Sequence, residues 1–399
     1  MSLPKLIGVL LCLTGMQALA GPSAAETQLA AANTGFAFDL LRQISAAQPG
    51  QNIFLSPFSV STALQMLGNG AVGRTRREIQ NVLKTGALPP VALDAACEQL
   101  NRSLHSQTNA ILALANGIWY QKQIRLKARF VADNRTYFGA ELAGVDFQNP
   151  QSARAINGWA EQHTFGKIKQ LVQWPFPRAT RLVLANAIYF KGQWAEPFDK
   201  SQTRPREFHP AKGPPRQAPM MLQRRTFSYQ EGDDFQAVRL PYTGGRLEML
   251  LFLPATNSTP RQLLARFNAK SWRDKILPHF EDRPGTLILP RFKLDYSADL
   301  NGPLKALGMR RAFSPRADFS AMADQPLFVS QVKQKSYVEV NEEGTEAAAV
   351  TTVVMVGLAR PLPRSPFEMI VDRPFLFVIR DRPTQTILFV GIVGDPASD

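Results

Sequence analysis

Cysteine is almost missing. Cys12 and Cys97 are the whole complement of a 399-residue chain, and Cys12 falls in an N-terminal segment expected to be removed. No intrachain disulfide can then form, so the mature fold has to stand on its hydrophobic core. Cys97 has apolar neighbours and reads as a small buried residue, not a nucleophile. Histidine is as scarce: His105, His163, His209 and His279 are the four, and no two stand at metal-ligand spacing. The patterns H-E-x-x-H, C-x-x-C and G-x-S-x-G are absent, which removes the zinc hydrolases, thiol oxidoreductases and serine hydrolases they mark. No metal, no cofactor and no catalytic group are expected.

Long apolar runs are absent too, so no membrane span is expected. Residues 6–13 are apolar but are followed by Thr14, Gly15 and Gln17, too short a stretch for a bilayer. With Lys5 before it and Ala18-Leu19-Ala20 after it, the segment reads as a secretion signal over residues 1–20. The remaining 21–399 read as one domain destined for the outside of the cell, or the periplasm of a bacterium. Asn101, Asn134 and Asn257 begin N-x-S/T sequons.

What the chain has in excess is positive charge, 46 Lys and Arg against 32 Asp and Glu for a formal +14. Such a surface attracts polyanions, a heparin-like glycan among them. The densest patches are Lys122/Arg125/Lys127/Arg129, Arg224/Arg225 and Arg310/Arg311. None is interleaved with aromatics, so nucleic acid is not expected as a partner.

Helical signals fill the first half. Phe36, Leu40, Leu41 and Ile44 share a helical face. Ser56-Pro57 opens a helix with a capping hydroxyl and a first-turn proline. Thr75-Arg76-Arg77-Glu78 has capping-box spacing and predicts a start there. Ile156, Trp159 and His163 mark a further helix. Apolar runs at 111–120 and 182–190 read as strands covered on both faces. Strands dominate later, at 247–253, 286–294, 328–340, 375–379 and 387–393, with a hairpin turn at Asp381-Arg382-Pro383-Thr384. Helices first and strands later, without βαβ alternation, predict an α+β fold.

Gly68-Asn69-Gly70-Ala71-Val72-Gly73 matches a dinucleotide-binding pattern in letters. A helix and not a strand precedes it, so the glycines read as a helix end near Leu67 followed by a turn. Glu342-Glu343 are sequence neighbours and, in a strand, face opposite sides; they are no glycosidase pair. Residues 344–366 carry small and β-branched residues and then Arg360-Pro361-Leu362-Pro363-Arg364-Ser365-Pro366. A connection of that length is ordinarily functional.

Several segments, in order along nearly the whole mature chain, resemble the serpin family of protease inhibitors. They are Asn52-Ile53-Phe54-Leu55-Ser56-Pro57; Asn157 with Trp159, Thr164, Gly166, Lys167 and Ile168; Leu184-Ala185-Asn186-Ala187-Ile188-Tyr189-Phe190-Lys191-Gly192-Gln193-Trp194, followed by Phe198, Thr203 and Phe208; Leu289-Pro290-Arg291-Phe292; Leu307-Gly308-Met309; Arg373-Pro374-Phe375; and Phe389-Val390-Gly391. The resemblance implies helices packed around a large mixed central sheet with smaller sheets, and an exposed reactive-centre loop at about 343–366. It also implies a monomer that inhibits a serine protease by forming a covalent complex and inserting its cut loop into the central sheet.

Glu342-Glu343-Gly344-Thr345-Glu346-Ala347-Ala348-Ala349-Val350-Thr351-Thr352 resembles the hinge of an inhibitory member. The residues support that reading by themselves. Gly344 gives backbone freedom for a pivot. The small side chains after it can enter a closing sheet without overpacking it. Alternation puts Thr345, Ala347, Ala349, Thr351, Val353 and Met355 on one face. A non-inhibitory carrier or chaperone of the same family is the alternative; such members usually carry bulky, charged or proline residues in the hinge, and between Gly344 and Thr352 the one charge is Glu346, which alternation puts on the face opposite Thr345.

Counting as in the family from Glu342 puts the reactive bond at Leu358-Ala359. Leucine there points to chymotrypsin-like or elastase-like proteases, with trypsin-like or cysteine proteases as alternatives. Arg360 is followed by Pro361, which hinders cleavage. Arg364-Ser365 would make the insertable segment about six residues too long, and Met355-Val356 about three too short. Inserting fourteen residues gains on the order of 14 kcal/mol of net hydrogen bonding, while ordering them costs about 1–2 kcal/mol each. The loop alone is near break-even, so the uncut sheet must itself be strained. The family also implies a polar cluster under the sheet opening, formed here by Ser56, Asn186 and, where a histidine is usual, Gln334.

Overall fold

The structure is a computed structural model that describes residues 23–105, 110–345 and 365–397. The expected secretion signal lies outside the described residues. The chain opens with α1 (Ala24–Ala47), whose N-cap Ser23 forms a capping box with Glu26. β1 (Ile53–Leu55) leads into α2 (Pro57–Gly70), capped by Ser56 with Pro57 in its first turn. α2 is buried nearly all round, as befits a helix inside the core. There follow α3 (Gly73–Leu83), α4 (Pro90–His105), β2 (Ala110–Gln121), α5 (Ala128–Phe138), β3 (Glu141–Val145), α6 (Gln151–His163) and β4 (Leu182–Gln193). After them come β5 (Arg204–Phe208), β6 (Arg216–Gly232), β7 (Phe235–Pro241), β8 (Leu247–Pro254), α7 (Pro260–Leu264), α8 (Ala269–Ser271), β9 (Glu281–Pro290), β10 (Phe292–Asp299) and α9 (Asn301–Ala306). The last strands are β11 (Gln331–Asn341), β12 (Gly344–Thr345), β13 (Phe367–Ile370), β14 (Phe375–Asp381) and β15 (Ile387–Val393).

Among the described residues these strands form two sheets. One has nine strands in the order β1-β15-β14-β8-β7-β6-β9-β13, with β5 paired to β6. The other has six, in the order β10-β11-β12-β4-β2-β3, with β11 and β4 also paired directly. Helices from the first half and strands from the second close one large core, the expected α+β arrangement. A smaller core lies on the other face of the six-stranded sheet. There α6 lays Ile156, Trp159 and Ala160 over Ala115, Val183, Ala185 and Ala187.

Three local expectations fail, and one of the three sequons is closed by the fold. α3 starts at Gly73, not at a Thr75 cap; Thr75 is buried and its hydroxyl accepts from the Asp318 amide at 2.9 Å. α2 runs on to Gly70 instead of ending near Leu67, and Gly73, at φ +54°, opens the next helix. The single strand expected at 286–294 is two, β9 and β10, which part at Arg291 to join different sheets. The sequon at Asn134 is closed: this residue is fully buried in α5, with its amide donating to the Phe130 carbonyl.

Candidate functional site, a seam and its hinge

Two strands make the seam. β4 and β11 run parallel, paired from Val183/Gln331 to Tyr189/Tyr337. Past the tyrosines they diverge, and β12 fills the gap, antiparallel to both: Thr345 faces Gly192 and Val340, and Gly344 faces Gln193 and Asn341. The first hinge residues are therefore already a strand of this sheet.

Each of the described residues 342–345 is held. Glu342 is buried and accepts from Arg291 Nε at 2.8 Å and Nη2 at 2.6 Å, and from the Thr203 hydroxyl. Burial alone would push its carboxyl up; the bonds from Arg291 and Thr203 outweigh that and hold it below the usual 4.5. The Glu342 and Glu343 carbonyls accept from the amides of Phe198 and Trp194 at 2.8 and 3.0 Å. Lys200 pairs with the Glu343 carboxylate. Gly344 sits at φ +151°, and a Cβ there would fall 2.2 Å from the Gly192 carbonyl oxygen. Thr345 is fully buried, its hydroxyl 2.8 Å from that of Tyr242. The Tyr242 ring stacks on Trp194 at 4.6 Å.

Below the hinge the seam is closed by polar side chains in an apolar surrounding. Gln334 Nε2 donates to the Ser56 carbonyl at 3.0 Å and to Asn186 Oδ1 at 2.5 Å, and its Oε1 accepts from the Ser56 amide at 3.0 Å. Asn186 donates to Ser59 and Asn116, and Ser336 donates to the Phe54 carbonyl at 2.6 Å. Every polar group of Gln334 that faces the seam is thus used, and none of these partners titrates near neutrality. On the outer face, Lys167 stands 5.3 Å from the Tyr337 ring and 6.0 Å from that of Tyr189, over the last pair of the ladder.

Ser56, Asn186 and Gln334 therefore meet, and so do Glu342, Glu343, Gly344 and Thr345. Glu346, Ala347, Ala348, Ala349, Leu358 and Ala359 lie outside the described residues. Sequence reasoning missed Ser59, Asn116, Tyr242 and the roles of Thr203 and Arg291. Asn116 was discoverable as the only polar side chain in an otherwise apolar run, and it lies opposite Asn186 in register. The far foot of the loop is pinned on the other sheet: the Ser365 carbonyl accepts from Arg283 Nε at 2.9 Å, and Phe367 stacks on Tyr229 at 3.8 Å.

Among the described residues no helix is long and apolar enough to cross a membrane. The model of the family described as serpin (serine protease inhibitor) matches residues 31–396. Leukocyte elastase inhibitor from Sus scrofa is 37% identical over 381 residues, covering 92% of this chain and 100% of the relative. Human thyroxine-binding globulin complexed with thyroxine superposes at TM-score 0.85 with 30% identity, covering 94% of this chain and 100% of that one. Native protease nexin-1 with heparin superposes at 0.82 with 32% identity, covering 93% and 100%. A match to the family model over nearly the whole chain, in a molecule whose Gly344 and Thr345 already pair between β4 and β11, leaves one conclusion: this chain belongs to the serpin family of serine protease inhibitors.

Proposed function

We propose that the chain is a secreted, single-use inhibitor of serine proteases of the chymotrypsin-like or elastase-like kind. The observation that carries this reading is the position of β12. Two residues of the hinge already occupy the slot between β4 and β11, antiparallel to both. Continuing that register brings Ala347 opposite Phe190 and Val338, Thr351 opposite Asn186 and Gln334, and Val353 opposite Leu184 and Val332. Thr345, Ala347, Ala349 and Thr351 then take the core-facing side, where Thr345 already lies, and small residues meet the packed interior first.

The protease attacks the Leu358 carbonyl, the bond to Ala359 breaks, and an acyl-enzyme ester forms on Leu358. The cut frees the Thr345 side of the loop from the Ser365 foot. The strand then advances from β12 toward the bottom of the sheet, parting the β4–β11 ladder and the Gln334–Asn186 bond as it goes. The acylated protease is carried with it and distorted before water reaches the ester. The inhibitor supplies the strand and the relaxing sheet; the catalytic groups are those of the protease. A carrier role finds less support, because the segment Ala347–Thr352 holds no proline and no charge, and its one larger side chain, Val350, falls on the face opposite the alanines that enter the core.

Incubation with chymotrypsin and with elastase, followed by a denaturing gel and mass analysis, tests the reading. A covalent complex and a C-terminal fragment beginning at Ala359 are expected. Complete cleavage with fully active protease left over would overturn it.

A further inference from the structure

We propose that Lys167 is a positioning residue of the inhibitory step, an ammonium that ties β4 to β11 at the first rung the loop has to break. The inference rests on the inhibitory reading above and names a contact that sets its rate. The β4–β11 ladder ends at the Tyr189/Tyr337 pair. Both side chains are buried beneath the exit of α6, with ring centroids 6.3 Å apart. Lys167, itself half-buried, lies within cation–π range of both rings, at 6.0 and 5.3 Å. One cation therefore bridges the two strands that part on insertion. The turn that carries it is fixed from below. Thr164 is fully buried; its hydroxyl donates to the Ala160 carbonyl at 2.7 Å and accepts from the Ile168 amide at 3.0 Å. Phe165 is held at φ +54°, a region that bulky side chains avoid, and Gly166 follows at φ +78°. This strained turn sets Phe165 as well as Lys167 over the rung, with the Phe165 ring 6.0 Å from that of Tyr189. Tyr337 is gripped from its other side: Lys293 of β10 stands 5.6 Å from its ring, and its hydroxyl donates to Glu339 Oε2 at 2.9 Å.

Insertion breaks this arrangement. Thr345 pairs with Gly192 and Val340, so a strand advancing in that register reaches the Tyr189/Tyr337 rung three residues on. β4 and β11 then stand two strand spacings apart, about 9.6 Å. Tyr337 stays with β10 and β11, Tyr189 stays with β4, and one ammonium no longer serves both rings. The bridge stabilises the closed sheet and is lost as the sheet opens. Its weight falls on the barrier to insertion and on the intact molecule, and the inserted form does not contain it.

The test is the rate at which wild type, K167M, K167R and Y337V form a covalent complex with saturating elastase or chymotrypsin. The second reading is the melting temperature of each protein, intact and nicked in the loop. K167M and Y337V are each expected to form the complex about tenfold faster than wild type, the rate equivalent of one partly desolvated cation–π contact. K167R keeps the cation and should match the wild type. The double variant K167M/Y337V should be no faster than either single one, because both remove the same contact. Intact K167M should melt several degrees below the intact wild type, while the two nicked forms melt together. A residue that merely supports the fold would lower both. Equal rates in wild type, K167M and Y337V, or nicked forms that differ as much as the intact ones, overturn the bridge and leave the inhibitory reading standing. No covalent complex with the wild type overturns the inhibitory reading and the bridge with it.

Discussion

Replacing Thr345 by arginine separates the intact molecule from the inserted one. In the intact fold Thr345 is fully buried, with its hydroxyl 2.8 Å from Tyr242. An arginine cannot fit there, but β12 is only two residues long and can peel away. The loss is then a few ladder hydrogen bonds, near 1 kcal/mol each, and a Tyr242 hydroxyl left without its partner, about 1–3 kcal/mol. After insertion the same side chain has no escape, because the strand continues beyond it on both registers. An unpaired guanidinium in the core costs several kcal/mol. A rise of about 4 kcal/mol in the insertion barrier slows that step roughly a thousandfold, and hydrolysis of the acyl-enzyme then wins. Titrating elastase or chymotrypsin with Thr345→Arg should therefore need many inhibitor molecules per protease, with cut inhibitor and no covalent band on a denaturing gel. Near-stoichiometric inhibition by this variant would refute threading through the β12 slot.

Three further outcomes follow from single residues. Gln334→His introduces a buried titrating group at the seam; burial lowers its folded pKa below the unfolded 6.5. The variant should therefore lose stability relative to the wild type as pH falls from 7.5 to 5, read as a difference in Tm between the two proteins. Glu342→Ala removes the anchor of Arg291 and Thr203 and should cost about 1–2 kcal/mol at pH 7 in denaturant unfolding. Since the Glu342 carboxyl is held below its usual 4.5, its contribution is complete above that pH and vanishes as pH falls through the lowered folded value, where variant and wild type converge. Asp94 is the opposite case: burial pushes it up to about 6 against one hydrogen bond from Asn69. A raised carboxyl weakens the fold as pH rises through 6, so Asp94→Asn should stabilise by about 1–2 kcal/mol at pH 7.5 and make little difference at pH 4.

The seam was readable where one residue type has one use. Gly344 announces a backbone that tolerates no side chain, and the carbonyl of Gly192 is the physical reason. Ser56 announces a helix start, and its backbone turns out to serve Gln334 as well. Alternation assigned Thr345 to the buried face without knowledge of Tyr242. What stayed hidden was long-range: Arg291 reaches Glu342, and Tyr242 reaches Thr345, across separations that no local pattern encodes. Thr75 was misread for the same reason, because its hydroxyl serves a loop more than two hundred residues away and not its own helix. Apolar continuity joined β9 to β10 because it registers burial and is blind to a change of sheet.

All of this presumes that the uncut sheet stores free energy that the cut loop releases. Differential scanning calorimetry of the intact protein, and of the same protein nicked in the loop by a protease it does not trap, measures that store directly. The nicked form should melt about 10 °C or more above the intact one. Equal melting temperatures, or a lower one for the nicked form, would contradict the account at its root.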